Sequence, residues 1–173
     1  PDRRSGRGKK ISSSPVKMLA QDYDLSIIQP VNLKDPDSIE AKQLRDWQPD
    51  LMIVAAYGLI LPQYILDIPI YGCINAHASL LPRWRGAAPI QHALLSGDPK
   101  TGISIMQMEK GLDSGPVISM ESIRVANDDT AGTIHDKLAT LAAQMIYQTI
   151  HDFQDHKISS TTQDHTSANY AHK

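Results

Sequence analysis

Gly72-Cys73-Ile74-Asn75-Ala76-His77 is an apolar run ending in two polar residues, and Ala78-Ser79-Leu80-Leu81-Pro82-Arg83-Trp84-Arg85-Gly86 follows at once as a Pro- and Gly-containing loop. The first stretch reads as a buried strand. The spacing of Asn75 and His77 sends both side chains to one side of it. Upstream, Leu51-Met52-Ile53-Val54-Ala55 is continuously apolar, as strands buried on both faces are. Pro62 to Ile68 reads as a short helical turn between them. Downstream, Ala88 to Ser96 predicts a helix closed by Gly97. Thr101 to Met108 and Val117 to Val125 predict two strands, the second antiparallel and at an edge because only a short turn separates them. Thr130 caps a long helix with an apolar stripe of Ile134, Leu138, Leu141, Met145 and Ile150. Toward the start, Ser14-Pro15 opens a short helix to about Asp22 and Leu25 to Ile28 reads as a strand ended by Pro30. Asp35-Pro36 begins a helix to about Trp47, with Ile39, Leu44 and Trp47 near one face. This alternation predicts an α/β fold: a Rossmann-like, mostly parallel sheet with helices on both faces.

The 173 residues suit one domain with a sizeable core. A lone Cys73 excludes an internal disulfide framework and fits a reducing compartment. No apolar run reaches membrane-spanning length, and no signal peptide is legible. Net charge is −2, but residues 1–10 carry Arg3, Arg4, Arg7, Lys9 and Lys10 against Asp2 alone. Such a cationic head can attract phosphates and nucleic acid, or be a disordered basic terminus or tag remnant. The chain opens at Pro1 and ends in a polar stretch from Ser159 to Lys173, so it reads as a piece of a longer protein.

In sheets of this class ligands sit outside the C-terminal strand ends, where Asn75 and His77 fall. Asp113 arrives later in a second Gly-flanked turn, Gly111-Leu112-Asp113-Ser114-Gly115. An amide, an imidazole and a carboxylate can orient a reactive carbonyl, stabilise its developing oxyanion and move a proton. Each residue also has a plainer reading. Asn75 could satisfy backbone groups in the next turn, His77 could be a half-buried hydrogen-bonded histidine, and Asp113 a turn aspartate. Together, around one loop, they point to acyl transfer without a side-chain nucleophile. Ser79 lies in no Gly-x-Ser-x-Gly elbow, Cys73 sits in a buried strand, and His151 and His156 lack metal-ligand spacing, so no metal is expected. A nicotinamide-binding domain is disfavoured by the missing Gly-x-Gly-x-x-Gly.

The run Asn75 to Gln91, with Gly111 to Gly115, resembles the folate-dependent formyltransferase family, and the similarity extends from Pro1 through Ala171. The resemblance implies the formyltransferase fold, 10-formyltetrahydrofolate as donor, and the α-amino group of methionyl initiator tRNA as acceptor. Asn75 and His77 would hold the oxyanion, while Asp113 would set the ionisation of His77 and help remove the amine proton. Ser79, Leu80, Leu81 and Pro82 match the folate-contact segment, and Tyr57, Leu59 and Ile60 would wall the pterin pocket. Arg3, Arg7, Lys9 and Lys10 fall in a tRNA-contact loop. The resemblance further implies a catalytic domain over residues 1–158 lacking a first strand and helix upstream. Residues 159–173 would be a linker toward a further C-terminal domain. It also implies a cytoplasmic monomer, bacterial or from an organelle of bacterial origin, with no membrane role. Two alternatives stand beside this: a relative acting on a small amine (a nucleotide-sugar or glycinamide ribonucleotide), or a non-catalytic folate- or RNA-binding remnant.

Overall fold

The computed structural model describes residues 2–5, 10–58 and 60–173. The chain divides into two units, residues 1–48 and 49–173. In the first, β1 (Arg3–Ser5) and β2 (Lys10–Ser12) pair antiparallel, with Arg4 opposite Ile11. Helix α1 (Pro15–Asp22) starts as its sequence dictates: Pro15 fits the first turn, and Ser14 Oγ accepts from Lys17 N–H. The Lys17 ammonium donates to the Asp2 carboxylate at 2.8 Å and to Gln29 Oε1 at 2.7 Å.

Two expectations for this unit change. Residues 25–28 form no strand, since the described residues offer their backbone no ladder partner. The helix expected from Asp35 begins later, as α2 (Ile39–Asp46). Asp35 Oδ1 accepts from Asp37 N–H, and Ser38 Oγ donates to the Asp35 carbonyl, so residues 35–38 form a turn and Ser38 becomes the cap. The helix buries Ala41 and leaves Ile39 and Trp47 exposed, so its inward face is not the one expected.

The second unit holds β3 (Met52–Val54), α3 (Gln63–Leu66), β4 (Cys73–His77), β5 (Arg85–Gly86), α4 (Pro89–Leu95), β6 (Lys100–Gln107), β7 (Val117–Arg124), α5 (Ala131–Gln154) and β8 (Tyr170–Ala171). Its main sheet runs β3-β4-β6-β7. The α/β class holds, but among the described residues the sheet is mixed rather than mostly parallel. β3 pairs parallel with β4, whereas β4–β6 and β6–β7 are antiparallel. Connection length explains the second of these antiparallel ladders, since the stretch 108–116 between β6 and β7 is too short for a parallel crossover.

Strand alternation separates core from site. Ile74 of β4 and Ile103 and Ile105 of β6 pack with Ile134, Leu138 and Met145 of α5, and Ile90 and Leu94 of α4 join them. Asn75 and His77 therefore leave the sheet on the face away from α5. Along α5 the buried stripe continues at Thr149, four residues after Met145, rather than at Ile150. Thr149 is accommodated there because its hydroxyl donates to the Met145 carbonyl at 2.8 Å.

A capping box starts α5, with Thr130 Oγ1 accepting from Thr133 N–H and Thr133 Oγ1 from Thr130 N–H. Asp129 braces it. Hydrogen bonding from Lys137, then from the Ala126 amide and the Thr133 hydroxyl, lowers its carboxyl to about 2.

Residues 159–173, the segment expected to lead toward a further domain, pair back onto the unit. Thr161 bridges Val117, and β8 lies parallel to β5 with Tyr170 opposite Arg85 and Ala171 opposite Gly86. The segment lacks apolar periodicity because backbone ladders and buried polar side chains hold it, with Gln163 only 6% exposed. No helix is long and apolar enough to cross a membrane among the described residues.

Two outcomes follow from this packing. Leu138→Ala should cost about 2–5 kcal/mol in denaturant unfolding, because Leu138 is fully buried against the sheet. The Asp129 brace is complete above the ordinary carboxylate value of 3.8 and is lost as pH falls toward about 2. A carbon-NMR titration of the Asp129 carboxyl should therefore find its midpoint near the lower figure, with the Thr133 amide signal moving in the same range.

Candidate active site

His77 is the last residue of β4 and only 6% exposed. Its Nε2 lies 2.9 Å from the Trp84 carbonyl oxygen. A carbonyl can only accept, so Nε2 carries the proton and Nδ1 is left facing elsewhere. What it faces is Asp113, whose Oδ2 is 3.7 Å away. That separation is an ion-pair distance and too long for a hydrogen bond. The same Oδ2 accepts from Gly86 N–H at 2.7 Å. The two halves of the expected pair therefore do meet, thirty-six positions apart in sequence, at the loop between β4 and α4.

That loop is held at several points. Ser104 of β6 donates its hydroxyl to the Ser79 carbonyl at 2.7 Å and accepts from Leu81 N–H at 3.1 Å. The Ser79 hydroxyl donates to the Arg83 carbonyl. At the tip, the Arg83 guanidinium forks onto Asp98 at 2.6 and 2.9 Å and lies 4.3 Å above the Trp84 ring, while the Trp84 indole N–H donates to Asp98 at 2.7 Å. The Arg83 bonds hold the Asp98 carboxyl below its ordinary range, with the indole bond adding to the effect.

Three backbone angles around the pair are left-handed: Trp84 at φ +60°, Asp113 at +48° and Gly86 at +106°. Gly86 has a further reason to be glycine, since a Cβ there would come within 3.0 Å of the Ala171 carbonyl oxygen. From the tail, Asn169 Oδ1 accepts from Trp84 N–H at 2.6 Å, the Asn169 carbonyl accepts from Arg85 N–H, and the Ala171 carbonyl accepts from Ala87 and Ala88 N–H.

The other expected residues divide. Asn75 shares the His77 face of β4 and is half-buried. Among the described residues none engages its side-chain amide, so that donor is available. Tyr57 is also half-buried, and its hydroxyl is shut from solvent without a hydrogen-bond partner among the described residues. Burial, with Tyr64 nearby, pushes its phenol upward. Leu80 and Pro82 keep accessible surface, while Ser79 and Leu81 are buried and serve the loop. Ile60 is largely exposed. Leu59, Arg7 and Lys9 lie outside the described residues; Arg3 and Lys10 fall on β1 and β2. No group of three or more His, Cys, Asp or Glu able to hold a metal occurs among the described residues.

Three polar participants carry no local signal in the sequence. Ser104 lies inside an apolar strand, and Gln163 and Asn169 lie in a tail without periodicity, so only the fold shows that they face the loop. Arg85 stood in the motif but is 2% exposed, an inward orientation that a loop arginine does not announce.

The formyl transferase family model matches residues 1–150. Methionyl-tRNA formyltransferase of Nitrosomonas eutropha is 56% identical over 173 residues, covering all of this chain and 54% of that protein. The enzyme of the same name from Pseudomonas syringae pv. syringae is 51% identical with the same coverage. The chain thus spans about half the length of the curated relatives it matches. Among solved structures, phosphoribosylglycinamide formyltransferase from Bacillus halodurans superposes with a TM-score of 0.68 at 26% identity, over 82% of this chain and 76% of that one. A formyltransferase from Anoxybacillus kamchatkensis, solved with tetrahydrofolate, gives 0.72 at 23% identity, over 90% and 80% of the two chains. Family model, close relatives and fold agree, and the chain belongs to the formyl transferase family.

Proposed function

We propose that this chain carries the reaction centre of a methionyl-tRNA formyltransferase, which moves the formyl group of 10-formyltetrahydrofolate to the α-amino group of methionyl initiator tRNA. The observation that carries this reading is the meeting of His77 and Asp113 beside the unpartnered amide of Asn75. The acceptor amine forms a C–N bond to the formyl carbon, and the bond from that carbon to the folate nitrogen breaks. Asn75 donates its amide N–H to the formyl oxygen as negative charge grows there, and one such donor is typically worth about 3 kcal/mol. The imidazole of His77, held by the Trp84 carbonyl, turns its second nitrogen toward Asp113. Asp113 receives the proton that the amine must shed, directly or by way of His77, and the departing folate nitrogen takes up a proton in turn. The free amide of Asn75 fits a polar ligand with an acceptor atom, as a formyl group supplies. Leu80 and Pro82 offer it apolar contact. Ser79 would act through loop shape, because its hydroxyl is already committed.

Methionyl-tRNA is favoured as acceptor by the 49–56% identity to enzymes of that name and by the basic head, whose Arg3, Arg7, Lys9 and Lys10 would meet tRNA phosphates. A small amine is the second reading, favoured by the Bacillus halodurans likeness. The proposed protein is a cytoplasmic monomer of a bacterium or an organelle of bacterial origin.

In the whole protein, Asn75→Ala should lower kcat about 100- to 1,000-fold. His77→Ala and Asp113→Asn should each lower it by at least about 100-fold with the fold intact by circular dichroism. Wild-type turnover in both of the latter would overturn the reading. Deleting residues 3–10 should raise KM for methionyl-tRNA and flatten its salt dependence. Unchanged tRNA kinetics after the deletion would favour the small-amine acceptor.

A further inference from the structure

Four hydrogen bonds use the whole capacity of the Gln163 carboxamide. Its Oε1 accepts from Arg85 Nε at 3.1 Å and from Arg85 Nη2 at 2.7 Å. Its Nε2 donates to the carbonyl of Asp113 at 2.9 Å and to that of Gly115 at 2.7 Å. An amide has two donor hydrogens and two acceptor lone pairs, and all four are engaged. Those two carbonyls flank Ser114, so the side chain grips the turn that carries the carboxylate by its backbone.

The grip matters because His77 does not hold Asp113 itself. At 3.7 Å the two are not hydrogen-bonded, and the carboxylate position rests on the Gly86 amide and on the conformation of its own turn. That turn places Asp113 in the left-handed region, a conformation costing most residues about 1–2 kcal/mol and needing outside support to persist. Arg85 and Gly86 are adjacent. The strand β5 that donates to the carboxylate thus also anchors, through the Arg85 side chain, the glutamine that fixes the backbone. Among the described residues no carboxylate pairs with the buried Arg85 guanidinium, whose side-chain partners are Gln163 and His165 Nδ1. A cation buried on neutral acceptors is expensive. Its value is geometric: a guanidinium fork sets both distance and plane of the amide it grips.

We propose that Gln163, oriented by Arg85, is the positioning residue that sets the distance between the Asp113 carboxylate and His77. This rests on the formyl-transfer reading for its consequence in turnover. The distance itself is readable without it. The test compares Gln163→Met, close in volume but apolar, with Gln163→Glu, which keeps length and acceptors for Arg85 but turns an oxygen toward the two carbonyls. In the whole protein both should lower kcat about 10- to 100-fold, the scale of a misplacement near 1 Å. KM for donor and acceptor should change by less than about threefold. In an Asp113→Ala background neither substitution should cost anything further. Nitrogen NMR of His77 should show its Nδ1 resonance moving in both variants in the sense that Asp113→Ala moves it.

The proposal is overturned by wild-type kcat with an unmoved His77 resonance. It is equally overturned by a loss that persists undiminished over Asp113→Ala. If Gln163→Met fails to fold, Gln163→Glu decides alone. If Asp113→Ala itself leaves turnover intact, the formyl-transfer reading fails, and the His77 resonance alone decides whether Gln163 positions the pair.

Discussion

Successive side chains of β4 leave the sheet on opposite sides, and the rest of the molecule is arranged around that division. Ile74 and Ala76 go into the layer shared with α5, so Asn75 and His77 are forced onto the other face. A register slip of one residue would bury the imidazole against Leu138 and strand an isoleucine at the site. The core thus orients Asn75 and His77 as a by-product of its own packing. The antiparallel partner β6 repeats the pattern: Ile103 and Ile105 face α5, and Ser104, opposite His77, faces the loop and ties it down.

Around this strand, backbone groups do most of the orienting. The Trp84 carbonyl fixes the tautomer of His77, and the Gly86 amide fixes the Asp113 carboxylate. Both groups belong to a loop with left-handed residues at Trp84 and Gly86. Main-chain donors and acceptors cannot rotate away, which suits the proposed site, where small displacements would be costly. Side chains then secure the loop, through Asp98 at its tip and Asn169 at its base.

Much of this is legible in the sequence. The apolar strand, the polar pair at its end and the Gly-flanked aspartate are local patterns with direct physical meaning, and the structure brings His77 and Asp113 to ion-pair distance. The antiparallel edge pairing of β7 was legible from the short turn before it, whereas the antiparallel sense of β4 and β6 was not. Residues 25–28 show the limit of composition: β-branched residues make a strand only where a neighbour supplies the ladder. Ser104, Gln163 and Asn169 were hidden for a related reason. Their importance lies in what they face across the fold, and no periodicity records that.

The pairing of β8 with β5 carries a further meaning for how the protein loses order. Two strand residues and a few amide contacts join the tail to the loop, whereas long ladders and a 24-residue helix hold the sheet. Cooperative regions of a protein open at separate free energies, and the thinner attachment opens first. Warming would therefore detach the tail, and with it the support beneath Trp84 and Gly86, while the central layers stayed intact. The approach of Asp113 to His77 would be lost below the melting temperature of the sheet.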